Sequence, residues 1–395
     1  MDNLSWYGQI PSGWKEVKLG SIFKVRNERA NDRDYAPLSV SKGGVVPQMD
    51  GVAKTDANDN RKLVLKDDFV INSRSDRKQS CGVAKRDGSV SLINTVLYYD
   101  HSVVAPDYVD LLLDNFGFAE EFYRWGHGIV ADLWTTRWRE MKNITVPLPP
   151  FDTQQKIAKF INHKSDLCDK LISIEQKEID ALSSLKLSII DEKIKSNGQL
   201  IPLKRCADLQ TETIGRKVAP DTPINYIDIS SVNSYGEITN IQTMPFENAP
   251  SRAQRIVHDG DVIVSTVRTY LKAIARIESE NDGCVCSTGF AVIKARPNIV
   301  SPDYLFYAVR SDEFTSLVSS YSYGISYPAI NATDLMRLPI RLIPKDLQKS
   351  IVEEIKIKAK SIESIIKTKT NKIGALKQYK TSVIYESVIG KMGEN

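Results

Sequence analysis

The sequence contains no run of 18 or more apolar residues, so no helix formed by its 395 residues is expected to cross a membrane. The opening stretch MDNLSWYGQIPSGW lacks the basic segment and apolar core of a secretory leader. Cysteine is scarce. The five at 81, 168, 206, 284 and 286 are odd in number and follow no framework spacing. That excludes a disulfide scaffold and points to a reducing, cytoplasmic compartment. A charge excess of one sign is also missing: the formal net charge is +4. Residues 1–151 carry 20 basic and 20 acidic side chains, and residues 199–344 carry 14 and 15. A strongly basic domain is therefore excluded, and charge alone leaves nucleic-acid binding unproved.

Catalytic signatures are equally sparse. There is no G-x-x-x-x-G-K-[ST] phosphate loop. The histidines at 101, 127, 163 and 258 are scattered, and Cys284 and Cys286 form an isolated C-x-C, so no zinc site can be built from them. Asp107 with Glu140-Met141-Lys142 superficially suggests a nuclease D…E-x-K set, but the matching place downstream reads Asp334-Leu335-Met336, without the lysine. LPPF (148–151) is similar to the Asn-Pro-Pro-Phe loop of amino-methyltransferases. Leu148, however, stands where an oxygen must accept hydrogen bonds from the target amine, and no glycine-rich cofactor loop precedes it. The expectation is a chain with no catalytic residue, no metal ligand and no cofactor of its own.

What the sequence does contain is itself, twice. PLPPFDTQQKIAKFI (147–161) is echoed 194 positions later by RLIPKDLQKSIVEEI (341–355). At that same offset Ile157/Ile351, Ile161/Ile355, Ile172/Ile366, Ile179/Ile373, Leu182/Leu376, Ile189/Val383 and Ile190/Ile384 all match. Small changes of offset carry the match upstream: APDYVDLLLD (105–114) answers SPDYLFYAVR (301–310), WGHGIV (125–130) answers YSYGIS (321–326), and LKDDFVINS (65–73) answers VHDGDVIVS (257–265). The chain reads as a tandem repeat.

Within each unit, short β-rich runs such as DFVINS, SVSLINTVLYY, DVIVSTV and FAVIKA alternate with Gly, Pro, Asn and Asp. Helices are expected to start at Pro106 and Pro302, with Asp107 and Asp303 in the first turn. From Asp152 to Lys195 and from Asp346 to Ile389 there is no proline and one glycine, Gly374. Apolar residues at 3- and 4-residue steps put a narrow seam on each of these long helices, with Asp152 and Asp346 as expected N-caps. The expected seam contacts are Ile157, Ile161, Leu171, Leu182, Leu185 and Ile189 on one helix. On the other they are Ile355, Ile362, Leu376 and Val383. A helix of 44 residues is about 66 Å long, and a seam of that length needs a partner of similar length. The expected fold is α/β (α+β): two globular domains joined by two long antiparallel helices forming a coiled coil, with a pseudo-twofold internal repeat. The expected boundaries are 1–147, 148–198, 199–341 and 342–395.

The order of these blocks, with ITVPLPPFDTQQKI and LPIRLIPKDLQKSI each leading into a long helix, resembles the specificity (HsdS) subunit of type I restriction-modification systems. Ile343 and Lys349 depart from the pattern in the second copy, where Pro149 and Gln155 keep it in the first. The resemblance covers essentially the whole chain, from GWKEVKLGSIF to SVIGKMG. It implies a bacterial defence role in which each globular unit is a target-recognition domain reading one half of a bipartite double-stranded DNA site. The helices would then dock two modification (methyltransferase) subunits, and restriction subunits would complete the complex. S-adenosylmethionine, ATP and magnesium would all reside on those partners. The alternatives left open are a stand-alone DNA methyltransferase or nuclease, and a coiled-coil scaffold that does not bind DNA.

Candidate contacts follow from residue type. NSRSDRKQS (72–80) concentrates Arg74, Arg77 and Lys78 after a predicted strand, and STVRTYLKA (265–273) supplies Arg268, Tyr270 and Lys272 at the matching place. Arginine grips guanine edges or phosphates bidentately, whereas lysine mostly neutralises phosphate. TTRWRE adds Arg137 and Arg139, SRAQR adds Arg252 and Arg255, and the second glycine loop adds Tyr323 and Tyr327.

Overall fold

The computed structural model describes residues 5–48, 60–74, 76–129, 134–195, 198–215, 218–324 and 326–391. The chain divides into two compact units, one of Met1–Ile174 with Asn371–Asn395 and one of Glu175–Thr370.

In the first unit, strands β1 (Phe23–Val25), β2 (Phe69–Asn72), β3 (Cys81–Val83) and β4 (Asn94–Tyr99) form an antiparallel sheet ordered β1-β4-β2-β3. Strand β2 reads FVIN and is buried along its length, because both sheet faces are covered. Side chains alternate between the faces. Phe69, Ile71 and Leu97 enter one core cluster, while Val70 and Val96 enter another. Helix α1 (Pro106–Leu113) starts at its proline, and α2 (Phe116–Arg124) is capped by Asn115, whose side chain accepts from the Phe118 N–H at 3.0 Å. The chain then runs through a strand at Thr145–Leu148, paired antiparallel with Lys15–Lys18, into the long helix α3 (Phe151–Lys195).

The second unit repeats this order. Strands β5 (Ala207–Gln210), β6 (Val262–Ser265), β7 (Ile274–Arg276) and β8 (Phe290–Ala295) form an antiparallel sheet ordered β5-β8-β6-β7. Val262 and Val264 face one cluster and Ile263 the other. Helices α4 (Pro302–Arg310) and α5 (Asp312–Ser320) follow, then a strand at Pro339–Leu342 paired with Gln199–Pro202, and finally helix α6 (Lys345–Val388).

The motif written twice is explained by one glutamine. Gln154, in the first turn of α3, is buried; its Oε1 accepts from the Ala105 N–H (2.9 Å) and its Nε2 donates to the carbonyls of Pro149 (3.0 Å) and Val103 (3.1 Å). Gln348 of α6 makes the same set with the Ser301 N–H (2.8 Å), Ile299 O (2.9 Å) and Ile343 O (3.2 Å). Each glutamine thus ties the start of a long helix to the loop that launches a short one, and satisfies three backbone groups. Ile343 replaces Pro149 without loss, since only its carbonyl is used. Lys349 replaces Gln155 at an exposed position.

Asp152 and Asp346 are not the N-caps. The helices begin at Phe151 and Lys345, and the carbonyl of Pro150 accepts from Thr153 and Gln154 while that of Pro344 accepts from Leu347. The two aspartates sit in the first turn, where the helix dipole favours a negative charge.

Along α3 the inward positions 154, 158, 161, 165, 168, 172, 175, 179, 182 and 186 are buried or half-buried, and along α6 so are 352, 355, 359, 362, 366, 369, 373, 376, 380 and 383. Both series alternate steps of three and four. Leu171 and Leu185 do not belong to them. They are 42% and 49% exposed, displaced from the seam by the buried polar residues Glu175 and Lys186, which a pattern of apolar residues alone passes over. Ion pairs give the direction. In the second unit Glu175 and Glu178 meet Lys369, Lys186 meets Glu363, and Lys193 meets Glu354, so one residue number falls as the other rises. In the first unit Asp169 meets Lys380 at 2.8 Å. The helices pack antiparallel within each unit.

Candidate functional site

Two loops meet on the surface of each unit, and the same hydrogen bonds join them. In the first unit the segment leaving β2 lies beside the segment that follows α2: the Thr136 N–H donates to Ser73 O (2.8 Å), Arg74 bridges Thr135, and His127 and Thr135 exchange backbone bonds of 2.9 and 3.1 Å. Thr136 Oγ1 also donates to Phe122 O, at 2.6 Å. In the second unit the segment leaving β6 is held likewise. The Ile330 N–H donates to Thr266 O (2.9 Å), Val267 bridges Ala329, and Tyr323 and Ala329 exchange bonds of 2.9 Å each. Residues 130–133 of the first glycine loop and 325 of the second lie outside the described residues.

Each strand-exit loop contains two turns, set at different positions in the two units. In the first unit it turns by Arg77 N–H to Arg74 O and Ser80 N–H to Arg77 O. The second uses Leu271 N–H to Arg268 O and Lys272 N–H to Thr269 O. Both loops end on a non-glycine residue in the left-handed region, Gln79 at φ 60° and Lys272 at φ 49°. Arg268, at φ 53°, is left-handed as well. Side chains in this region crowd the backbone and persist only where surrounding bonds hold them.

The side chains differ. In the first unit Arg77 and Arg137 are exposed, and Arg74 lies near Asp76 at 3.5 Å. Lys78 is tied down: its ammonium bonds both Glu120 oxygens (2.6 and 2.7 Å) and lies 4.8 Å from the centre of the Tyr123 ring. Arg139 stands apart, 87% exposed in its side chain, bonded to Glu140 beside a cleft that Glu16, Glu121, Arg124 and His127 also line. In the second unit Arg268, Tyr270, Leu271, Tyr321, Tyr323 and Tyr327 are exposed together, Tyr323 to 82%. Arg268 lies over the Tyr327 ring at 4.7 Å. Lys272, like Lys78, anchors the loop to the following short helix, through Asp312 at 3.1 Å.

Arg252 and Arg255 lie on the strand Ala253–Ile256 or just before it. Arg252 donates to the Tyr226 hydroxyl (3.2 Å) and Asp228 (2.5 Å), contacts that raise its pKa further, and Arg255 donates to Gln210 O at 3.4 Å. The backbone links Arg252 to the patch in two steps, Thr288 N–H to Arg252 O and Thr266 N–H to Gly289 O. Leu271 is the patch residue that sequence reading passed over, because a lone leucine in a loop carries no functional signal.

Among the described residues no helix is long and apolar enough to cross a membrane. No family model matches the chain. Over 275 residues it is 21% identical to the MjaVIII type I restriction enzyme specificity subunit of Methanocaldococcus jannaschii, an alignment covering 64% of this chain and 63% of that protein. Over 121 residues it is 27% identical to the HindI specificity subunit of Haemophilus influenzae, covering 30% of this chain and 25% of the relative. The chain thus spans less than two thirds of the length of these curated relatives. Among solved structures, a chain from a study of complex assembly and conformational transition in a type I R-M system is similar with a TM-score of 0.70 at 14% identity, covering 97% of this chain and all of that one. The HsdS subunit of Thermoanaerobacter tengcongensis is similar with a TM-score of 0.51 at 16% identity, covering 97% and 98%. The chain is thus similar in sequence, over part of its length, to type I specificity subunits, and similar in fold, over nearly all of it, to chains from type I restriction-modification systems.

Proposed function

We propose that the chain is the DNA-sequence reader of a type I restriction-modification complex and performs no chemistry itself. Residues 1–147 and 199–341 are two target-recognition domains, each reading one half of a bipartite site. Residues 148–198 and 342–395 form the spacer, an antiparallel coiled coil, and the halves are an internal repeat. The observation that carries this reading is the twice-built surface: the same backbone bonds join a strand-exit loop to a glycine loop in each unit, while the exposed side chains differ. A reader of an asymmetric site needs that combination, since base edges in the major groove are told apart by side-chain donors, acceptors and apolar contacts.

Modification subunits, carrying S-adenosylmethionine, would dock on the outer face of the helices, and restriction subunits with ATP and magnesium would join them. Leu167, Leu171 and Ile174 on α3 in the first unit, and Leu185 on α3 in the second, stand exposed at steps of four, three and eleven. An apolar stripe at coiled-coil spacing supports helix-on-helix docking there.

The test is sequencing of methylated adenines in cells holding the chain and its modification partner. The expected result is one bipartite motif whose two halves change independently when either domain is exchanged. A gel shift of the assembled complex across salt should give a steep negative slope. A complex that methylates without regard to sequence would overturn the proposal.

A further inference from the structure

We infer that Arg268 is a base-reading residue of the second unit, positioned by Tyr327 to take the edge of a guanine. The inference rests on the DNA-reading role proposed above.

Three observations carry it. The first is the state of the cations around the patch. Lys272 in the same loop is held by Asp312, and Arg252, two backbone bonds away, by Asp228, so these two charges are already answered within the unit; Arg255 beyond it points to a main-chain oxygen, Gln210 O. Arg268 is exposed, and its contact is the face of a tyrosine ring. Stacking on a ring fixes the plane of the guanidinium and leaves the two-nitrogen edge free for bidentate bonding.

The second is the way the residue is held. Arg268 and Lys272, both left-handed, bracket the short turn Thr269–Leu271. The turn is fastened from below, where the buried Thr269 hydroxyl bonds that of Ser322 at 2.9 Å, and from the side, where the Arg268 N–H donates to Pro328 O at 2.8 Å. One bond reaches each half of the glycine loop that carries Tyr323 and Tyr327. The arginine and its ring are therefore set relative to each other before any ligand arrives.

The third is the company it keeps. Tyr270, Leu271, Tyr323 and Tyr327 are exposed beside it and uncharged. A phosphate contact gains from further cations nearby and has no need of a fixed plane. A bidentate arginine on guanine O6 and N7, flanked by groups that can pack on thymine methyls, is the pairing that fits a patch with one stacked cation among apolar rings. The matching loop of the first unit carries Arg74, Arg77 and Lys78 instead, and the cation over a ring there is the Lys78 ammonium above Tyr123, which has no planar two-nitrogen edge to present.

The experiment uses the full chain assembled with its modification partner. It is titrated onto duplexes that keep the first half-site and vary the second one base pair at a time. For R268A and R268G (the latter keeps the left-handed backbone without strain) the expected result is loss of preference at a single G·C pair, by roughly 5- to 150-fold, with the other positions unchanged. R268K should not restore it, and Y327L should give a smaller loss at that same pair. If R268A instead weakens all duplexes alike, lowers the salt slope by about one, and is rescued by R268K, the residue is a phosphate contact and the inference fails. Unchanged preference in R268A and R268G also overturns it, while the first half-site remains selectively bound. Absence of preference at either half-site in the unsubstituted complex would instead overturn the DNA-reading role.

Discussion

The loops Arg74–Gln79 and Val267–Lys272 both end on a left-handed residue, and the residue before each accepts a backbone bond of 2.8–2.9 Å from the neighbouring loop; the second adds another, from the Arg268 N–H to Pro328 O. In one the side chains are cationic; in the other they are aromatic and apolar around a single stacked arginine. The helices behind them show the opposite economy. Position 114 in the first unit is a half-buried aspartate, and its counterpart in the second, 310, is a buried arginine. Burial pushes the Asp114 carboxyl up to about 6 and the Arg310 guanidinium down to about 10. The backbone scaffold is thus common property, because its bonds are paid for by main-chain groups every residue has. Side chains are free to change wherever the scaffold does not need them, and that includes the exposed positions of the two-loop surface.

The sharpest way to break this equivalence is at the glutamines. Q154L and Q348L each strand three backbone groups, two of them carbonyls and one an N–H. At 1–3 kcal/mol per unsatisfied buried group, each should cost about 3 to 9 kcal/mol. Denaturant unfolding of the full chain should show similar losses, with amide exchange accelerating at Ala105 in one variant and Ser301 in the other. A cost at Gln348 below half that at Gln154 would mean that the two helix starts are not the same structure.

A second comparison sets two lysines of α6 against each other. Lys369 serves Glu175, whose side chain is 6% exposed, whereas Lys380 serves Asp169, which is 59% exposed. K369M leaves a buried carboxylate short of its cation and should cost about 2 to 3 kcal/mol. K380M should cost at most about 0.5 kcal/mol. Adding E175L to K369M should recover most of the loss in the same unfolding assay; failure to recover would place the cost elsewhere in the seam.

The smallest of the three concerns Asp114. Its folded pKa lies above the ordinary carboxylate value, raised by burial and by Asp110, so the folded chain holds a proton that the unfolded chain has released. Stability is therefore lost as pH rises from about 4 through about 6, and the penalty is complete above that. D114N should stabilise the first unit by about 2 kcal/mol at pH 7 and have no effect near pH 4. A benefit independent of pH would show that packing, not ionisation, sets the cost.

Much of the fold was legible in the sequence because periodicity reports burial. DFVINS, DVIVSTV and FAVIKA contain the strands Phe69–Asn72, Val262–Ser265 and Phe290–Ala295, whereas SVSLINTVLYY is divided by a turn between Gly88–Val90 and Asn94–Tyr99. The long helices were visible within a residue of their ends, since proline is absent from them and glycine occurs once, at Gly374. Their seam was legible only in part. Glu175 and Lys186 sit on it because each finds an opposite charge on the other helix, and a pattern of apolar residues cannot anticipate that; Leu171 and Leu185 were drawn in for the converse reason. On the two-loop surface of the second unit, residue type picked out Arg268, Tyr270, Tyr323 and Tyr327, which the structure leaves exposed. That Lys78 and Lys272 would be consumed by Glu120 and Asp312 was not legible, because the acids lie some 40 positions away.

By itself the sequence determined the repeated order of elements and the two long helices. These follow from local propensity and from the spacing of apolar residues, which every stretch of chain carries with it. Only the tertiary structure decided which cations remain available, which tyrosines gather around Arg268, and why one glutamine is repeated. Those outcomes depend on partners far apart along the chain, and hydrogen bonds and ion pairs are assigned by distance in space.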